Sequence, residues 1–231
     1  MTNVAIITAR GGSKRIPRKN IKLFRGKPII AYSIETALDS GLFDYVLVST
    51  EDEEIAKIAT ELGAEVPFMR SEKMSDDYTG TADVMIEVIT DLKKIGKTFD
   101  NVCCIYPTAP FISKQTLSDS FELLSKYNFD SVFPVCPFSY PIQRALEISD
   151  SKTTMIWPEN LNKRSQDLDT RYHDAGQFYW VNTKKFLKEK KVFTKNSGSI
   201  ILNELQVQDI DDETDWLIAE LKHSLLFPDN G

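Results

Sequence analysis

Short apolar runs alternate with longer segments of helical period through the first 135 residues. "VAII" (4–7), "YVLVS" (45–49), "NVCCIY" (101–106) and "SVFPV" (131–135) are near-continuously apolar, the pattern of strands covered on both faces. Between the first two, "PIIAYSIETALDS" (28–40) predicts a helix with Pro28 in its first turn and Gly41 as its stop. "TEDEEIAKIATELG" (50–63) predicts another, with Thr50 and Glu53 at capping-box spacing and Gly63 closing it. Further helices are expected over 81–95 and, after Ser113, over 114–126. "GQFYWV" (176–181) reads as a strand, followed by a short helix, the strand "SIILN" (199–203) and a last helix over 213–225.

This alternation predicts an α/β fold with a mainly parallel (mixed) central sheet, a single domain over 1–231. Ligands in such sheets bind beyond the carboxyl ends of the strands, so the loops after Ile7, Ser49, Tyr106 and Val135 are expected to line one crevice. The rhythm breaks after Cys136: Pro137, Pro141, Pro158 and the polar "NLNKRSQDLDTRYHD" predict an inserted lobe over 137–174, with a hairpin near 154–157.

Composition narrows the partners. A net charge of −6 and a pI near 5.1 argue against a nucleic-acid binder and leave a small anionic ligand as the object of any local basic segment. Cys103, Cys104 and Cys136 have neither zinc nor disulfide spacing, and the first two read as small buried hydrophobes. No basic region precedes a long apolar stretch at the start, and no apolar run approaches the roughly 20 residues of a membrane span. A cytoplasmic protein without membrane partners is expected.

"TARGGSKRIPRKN" (8–20) supplies the basic segment: five of the ten residues from Arg10 to Lys19 are Lys or Arg. Following a strand, Gly11 and Gly12 allow backbone amides to approach an anion, while Arg10, Lys14 and Lys19 add charge for phosphates. The spacing is neither a P-loop nor G-x-G-x-x-G. Near the other end, "VQDIDDETDW" alternates Asp209 and Asp211 around Ile210, so both carboxylates share one side of an extended segment and can hold a hard cation such as Mg²⁺. The alternative is a helix's first turn, where acidic residues offset the dipole; that covers Asp212, Glu213 and Asp215 but leaves Asp209 unexplained. Arg144, Arg164, Arg171, His173, Gln177 and Tyr179 fall near the insertion, where they can grip a carboxylate and hydroxyls of a sugar acid. His173 is a general-base candidate set against a structural role, and His223 is expected at the surface.

In this order the motifs resemble the cytidylyltransferases that activate acidic sugars, the CMP-sialate synthetase family. "ARGGSKRIPRKN" fits that family's A-R-x-x-S-K-x-x-P-x-K-N, and "DIDDETD" fits D-I-D-x-x-x-D. The resemblance spans nearly the whole chain and implies a three-layer Rossmann-like nucleotidyltransferase that joins CTP to a nine-carbon acidic sugar with loss of pyrophosphate. It implies CTP contacts at Ala9, Arg10, Gly11, Ser13, Lys14, Lys19, Asn20, Arg70 and Thr81, with Mg²⁺ on Asp209 and Asp211. Arg10, Lys19 and Asp211 would be catalytic; Tyr106, Thr108, Arg144, Arg164, Gln177 and Tyr179 would face the sugar; the lobe would form a homodimer. Sialate synthetases carry Q-P-T-S-P-L-R where this chain has "YPTAPFI", and R-P-N-G-x-x-Y where it has "HDAGQFY". Those departures are most like the pseudaminic acid branch; N-acetylneuraminic, legionaminic and 3-deoxy-octulosonic acids are the alternatives. Outside the family, a nucleotide-sugar-dependent glycosyltransferase or a non-catalytic nucleotide-binding module are the rival readings.

Overall fold

The computed structural model describes residues 1–75 and 79–228. In chain order the elements are β1 (Asn3–Thr8), the short β2 (Leu23–Phe24) and β3 (Lys27–Pro28), α1 (Ile29–Asp39), β4 (Tyr45–Ser49), α2 (Glu53–Glu61) and α3 (Thr81–Lys94). They continue with β5 (Asn101–Ile105), α4 (Lys114–Lys126), β6 (Ser131–Pro137), β7 (Leu146–Ser149), β8 (Lys152–Met155), β9 (Tyr172–Asp174), β10 (Phe178–Asn182), α5 (Thr183–Glu189), β11 (Ser197–Ile201) and α6 (Glu213–Leu226). None of these helices is long and apolar enough to cross a membrane.

The main sheet has seven strands in the order β11-β6-β10-β5-β1-β4, with β9 on β6. It is mixed: β10 runs antiparallel to both its neighbours, and β9 antiparallel to β6, whereas the β1–β4, β1–β5 and β6–β11 pairings are parallel. The mixed central sheet of an α/β fold is as expected, and its antiparallel pairings arise where "GQFYWV" enters the sheet from the returning lobe and not from a crossover helix.

Because successive strand residues face opposite ways, β1 serves both sides of the sheet. Ala5 and Ile7 pack with Ile30 and Ile34 of α1, Ile55 of α2 and Leu117 of α4; Val4 and Ile6 pack with Val84, Met85 and Val88 of α3 and Phe186 of α5. This is the three-layer arrangement, with each fully buried Ile worth about 1.5–3 kcal/mol. Cys103 and Cys104 divide between the two layers as small hydrophobes, and burial pushes the Cys104 thiol up to about 12.

A third cluster matters most for chemistry. Ile16 of the basic loop, Phe111, Ile210 and Trp216 meet around Phe24 and Ile29. Ile210 is 1% exposed, so anchoring it turns the alternating Asp209 and Asp211 away from the core. The apolar residue between the two aspartates thus fastens the acidic motif to the loop. His223 belongs to this region too, edge-on to Phe24 and Tyr32 with ring centroids 5.4 and 5.3 Å away, which corrects its expected surface position.

Other local expectations shift. The N-cap of α2 is Asp52 and not Thr50; its side chain accepts from the Glu54 and Ile55 amides. Pro28 precedes α1 as its N-cap residue in place of a first-turn position. The hairpin of the insertion is β7–β8, eight residues earlier at its start than residue 154 and paired only with itself. Pro137 pairs with Tyr172 and Val135 with Asp174, so both ends of the 137–174 segment belong to the main sheet and the excursion lies between them.

Candidate active site

The end of β1 is built for close approach. The Ala9 amide donates to the Ser49 carbonyl (3.0 Å), tying the loop to β4, and the Gly11 amide donates to Glu51 Oε1 (2.6 Å). A Cβ on Gly11 would stand 2.5 Å from Asp52 Oδ2, so any larger residue there would have to push the Asp52 side chain aside. These contacts direct Gly11 toward the start of α2 and not into the cavity, leaving Arg10 and residues from Ser13 on as the cavity-facing part. Arg18 also faces α2, its guanidinium pairing with Asp52 and Glu54. Hydrogen bonding from Arg18 holds the Asp52 carboxyl below its usual range. That stabilisation is present above the unfolded carboxylate range and is lost as pH falls through the lowered folded value. Asp52→Asn keeps the cap acceptor but loses the charge; it should cost about 0.5–1 kcal/mol at pH 7, discounted for the half-exposed guanidinium. Urea unfolding should find that gap closing in acid.

The other loop charges turn inward. Arg10, Ser13, Lys14, Arg15, Lys19 and Asn20 line a cavity of about 610 Å³. Its remaining wall comes from Arg70, Thr79 and Thr81 before and at the start of α3, from Tyr106, Pro107 and Thr108 after β5, and from Asp211. Asn20 secures the loop by donating from Nδ2 to the Arg10 carbonyl (2.8 Å). Buried Arg70 is aimed by a bond from Nε to Ser49 Oγ (3.0 Å). Lys19 Nζ donates to the Ile210 carbonyl (2.6 Å), and Arg15 Nη2 pairs with Asp211 Oδ1 (2.6 Å), so loop and acidic motif close on each other across 196 positions of sequence.

The charges of loop and acidic motif are coupled. Asp209 is raised above the usual carboxylate range, first by desolvation and then by the charge of Asp211, with Lys19 and Arg15 opposing. Burial lowers Lys19 while Asp211 and Asp209 pull it back up. Asp215 is no third ligand: its Oδ2 accepts the Asp211 and Asp212 amides, and Asp215 and Asp212 form the capping box of α6. No cluster of three or more His, Cys, Asp or Glu suited to a metal exists among the described residues. Of the two aspartates expected to hold a metal, Asp211 lines the cavity and Asp209 does not; their oxygens are of the type that Mg²⁺ takes beside waters and phosphate.

Several sequence candidates fall elsewhere. Arg164 pairs with Asp167 and Arg171 with Asp169 on the exposed lobe, and Arg144 sits there as well, outside the cavity lining. Gln177 is buried and donates from Nε2 to the Gln206 carbonyl (2.6 Å). His173 Nδ1 lies 2.9 Å from the Asp174 carbonyl and its ring meets Phe138, away from the cavity, which disfavours the general-base reading. The segment after Val135 continues as strand and does not reach the crevice. Tyr179 lies behind Tyr106, their ring centroids 5.5 Å apart. Sequence reading passed over Arg15, Thr79 and Glu51. Arg15 stood among the loop's charges, but spacing alone does not separate it from Arg18, which faces the other way.

Known proteins resemble this chain in sequence and in fold. The cytidylyltransferase family description matches residues 4–216. Pseudaminic acid cytidylyltransferase of Campylobacter jejuni is 42% identical over 226 residues, 97% of each chain. CMP-N,N'-diacetyllegionaminic acid synthase of Legionella pneumophila is 32% identical over 227 residues, 95% of each chain. In structure, a CMP:2-keto-3-deoxy-manno-octonic acid synthetase complexed with CTP superposes with a TM-score of 0.71 at 14% identity, covering 98% of this chain and 99% of its own. The α/β nucleotidyltransferase fold is thus shared well beyond sequence likeness, and this chain belongs to the cytidylyltransferase family.

Proposed function

We propose that the chain activates pseudaminic acid: CTP and the free sugar give the CMP-sugar and pyrophosphate. The observation that carries this reading is the closure of a cationic loop and an acidic motif on one cavity, through Lys19 to Ile210 and Arg15 to Asp211. The 42% identity to a pseudaminic acid cytidylyltransferase supports the choice of sugar.

In this reading the triphosphate lies against Arg10, Ser13, Lys14 and Lys19, with Asp209 and Asp211 facing the α-phosphate. The anomeric hydroxyl of the sugar attacks that phosphorus and gives up its proton to solvent, the α–β bridging bond breaks, and pyrophosphate leaves with the electron pair. Arg10 and Lys19 neutralise charge gathering on the leaving group, in a site already organised for it. Arg70 holds its place beside β4 through Ser49, and Tyr106 and Thr108 bound the space left for the sugar. Mg²⁺ held by Asp209 and Asp211 would polarise the α-phosphate and lower the pKa of the attacking hydroxyl.

The lobe fits a homodimer contact. Tyr140 is 85% exposed and Ile148 76%, with Leu146 and Leu161 also exposed nearby in sequence, a concentration of apolar surface that a second copy would cover. Such an arrangement would give Arg144 and Arg164 a role at the partner's cavity that they lack within one chain.

The reading is tested by comparing kcat/KM for pyrophosphate release on pseudaminic, N-acetylneuraminic, legionaminic and 3-deoxy-octulosonic acids. Pseudaminic acid should exceed each of the others by at least about 100-fold, the scale of a site whose polar groups are matched to one ligand. A higher value for any other sugar would reassign the substrate.

A further inference from the structure

The basic loop turns on Gly11, which stands between the cavity-lining Arg10 and the cavity-lining Ser13 and Lys14. Both backbone polar groups of Gly11 are taken. Its carbonyl accepts the Ser13 amide (3.0 Å), which folds the chain back, and its amide donates to Glu51 Oε1 (2.6 Å), just beyond β4.

Side chains alternate along this stretch. Ala9 is buried in the core layer that includes Val48 and Ile55, and a Cβ on Gly11 would point at Asp52. Arg10, between them, faces the other way and lines the cavity. The chain is thus pinned on both sides of Arg10. Before it, the Ala9 amide donates to the Ser49 carbonyl (3.0 Å), a backbone tie open to any sequence. After it, the tie depends on one side chain, the Glu51 carboxylate.

That carboxylate sits badly for the fold alone. Glu51 Oε2 is buried and has no hydrogen-bond partner among the described residues, a state that destabilises a folded chain. The end of β4 has other ties, from Arg70 Nε to Ser49 Oγ and from the Arg70 amide to the Thr50 carbonyl (2.8 Å). Two uses are open to Glu51: an acceptor for the loop, or a negative charge supporting Arg70, whose lowering by burial it opposes. The 2.6 Å bond to Gly11 favours the first.

We propose that Glu51 is a positioning residue for CTP binding: by holding the Gly11 amide it presents Arg10 and Ser13 to the triphosphate. The inference rests on the CTP reading above. A loop fixed before its ligand arrives loses less conformational freedom on binding, so the tie acts on affinity.

Three substitutions separate reach from charge. Calorimetric titration with CTP should find the dissociation constant raised about tenfold in Glu51→Ala, the scale of one lost hydrogen bond. Glu51→Gln keeps the reach and an acceptor without the charge, and should stay within about threefold of the parent. Glu51→Asp keeps the charge but is a methylene too short, and should bind CTP as weakly as Glu51→Ala. Melting temperatures of all three should lie close to that of the parent, because the unpaired buried oxygen adds nothing to stability. Joined to Arg10→Ala, Glu51→Ala should weaken CTP by less than the product of the single effects, since one removes what the other positions.

Unchanged affinity in Glu51→Ala would overturn the inference, as would multiplicative losses in the double variant. A weak Gln variant beside a normal Asp variant would assign the carboxylate to the charge of Arg70 and overturn it too. If Glu51→Ala fails to fold, the Gln and Asp pair carries the same decision. A parent chain that binds no CTP would remove the CTP reading and this inference together; equal binding by parent and Glu51→Ala would remove the inference alone.

Discussion

Asp211→Ala should abolish turnover, lowering kcat by at least about 10²- to 10³-fold, while the chain stays folded. The carboxylate lines the cavity and meets Arg15 across its mouth, and the neighbouring Ile210 anchors the segment whether or not residue 211 is acidic. Alanine there removes a proposed metal ligand and no core contact. It also removes like-charge repulsion from Asp209, so the raised Asp209 carboxyl should fall back toward its ordinary range. Steady-state pyrophosphate release, circular dichroism and thermal melting decide the matter. Near-normal release with Mg²⁺ present would take Asp211 out of the mechanism, and a collapsed melting transition would make its role structural.

The second large effect is expected at Arg10. Its side chain lines the cavity at the mouth of β1, while its backbone carbonyl is held separately by Asn20. Truncation to alanine leaves that backbone tie in place and takes the side chain's charge and donors out of the cavity. Arg10→Ala should raise the dissociation constant for CTP by about 100-fold, as expected for loss of charge-assisted hydrogen bonds to phosphate worth roughly 2–3 kcal/mol. Affinity for the free sugar should change by less than about twofold. Titration with each ligand separately gives both numbers. Equal weakening of both would mean that Arg10 shapes the cavity and does not bind phosphate.

Much of the frame was legible because local pattern and tertiary position agree. The strand at Tyr45–Ser49 and the helix at Lys114–Lys126 fall where apolar runs and the Ser113 cap set them. The loop and the acidic motif were recognisable for the same reason, since each carries its chemistry in a few adjacent residues. Departures occur where the outcome depends on residues far apart in sequence. Arg15 and Arg18 look alike in the chain, yet one reaches Asp211 and the other Asp52 and Glu54, because α2 and the segment before α6 approach the loop from different sides. Asp174 was not singled out, because its partner, the Tyr179 hydroxyl five residues on, is set by the pairing of β9 and β10 with β6. Arg144 and Arg164 were assigned by proximity to the insertion, and the lobe carries them outward.

The central claim is that one cavity, bounded by the basic loop and Asp211, joins CTP to an acidic sugar. The direct measurement is to incubate the chain with CTP, Mg²⁺ and pseudaminic acid and to quantify pyrophosphate and CMP-sugar together, with EDTA and with the Asp211→Ala variant as controls. Equimolar formation of both products, absent without the divalent cation and absent in the variant, is the predicted result. Pyrophosphate without CMP-sugar, or no product from any acidic sugar, would contradict it.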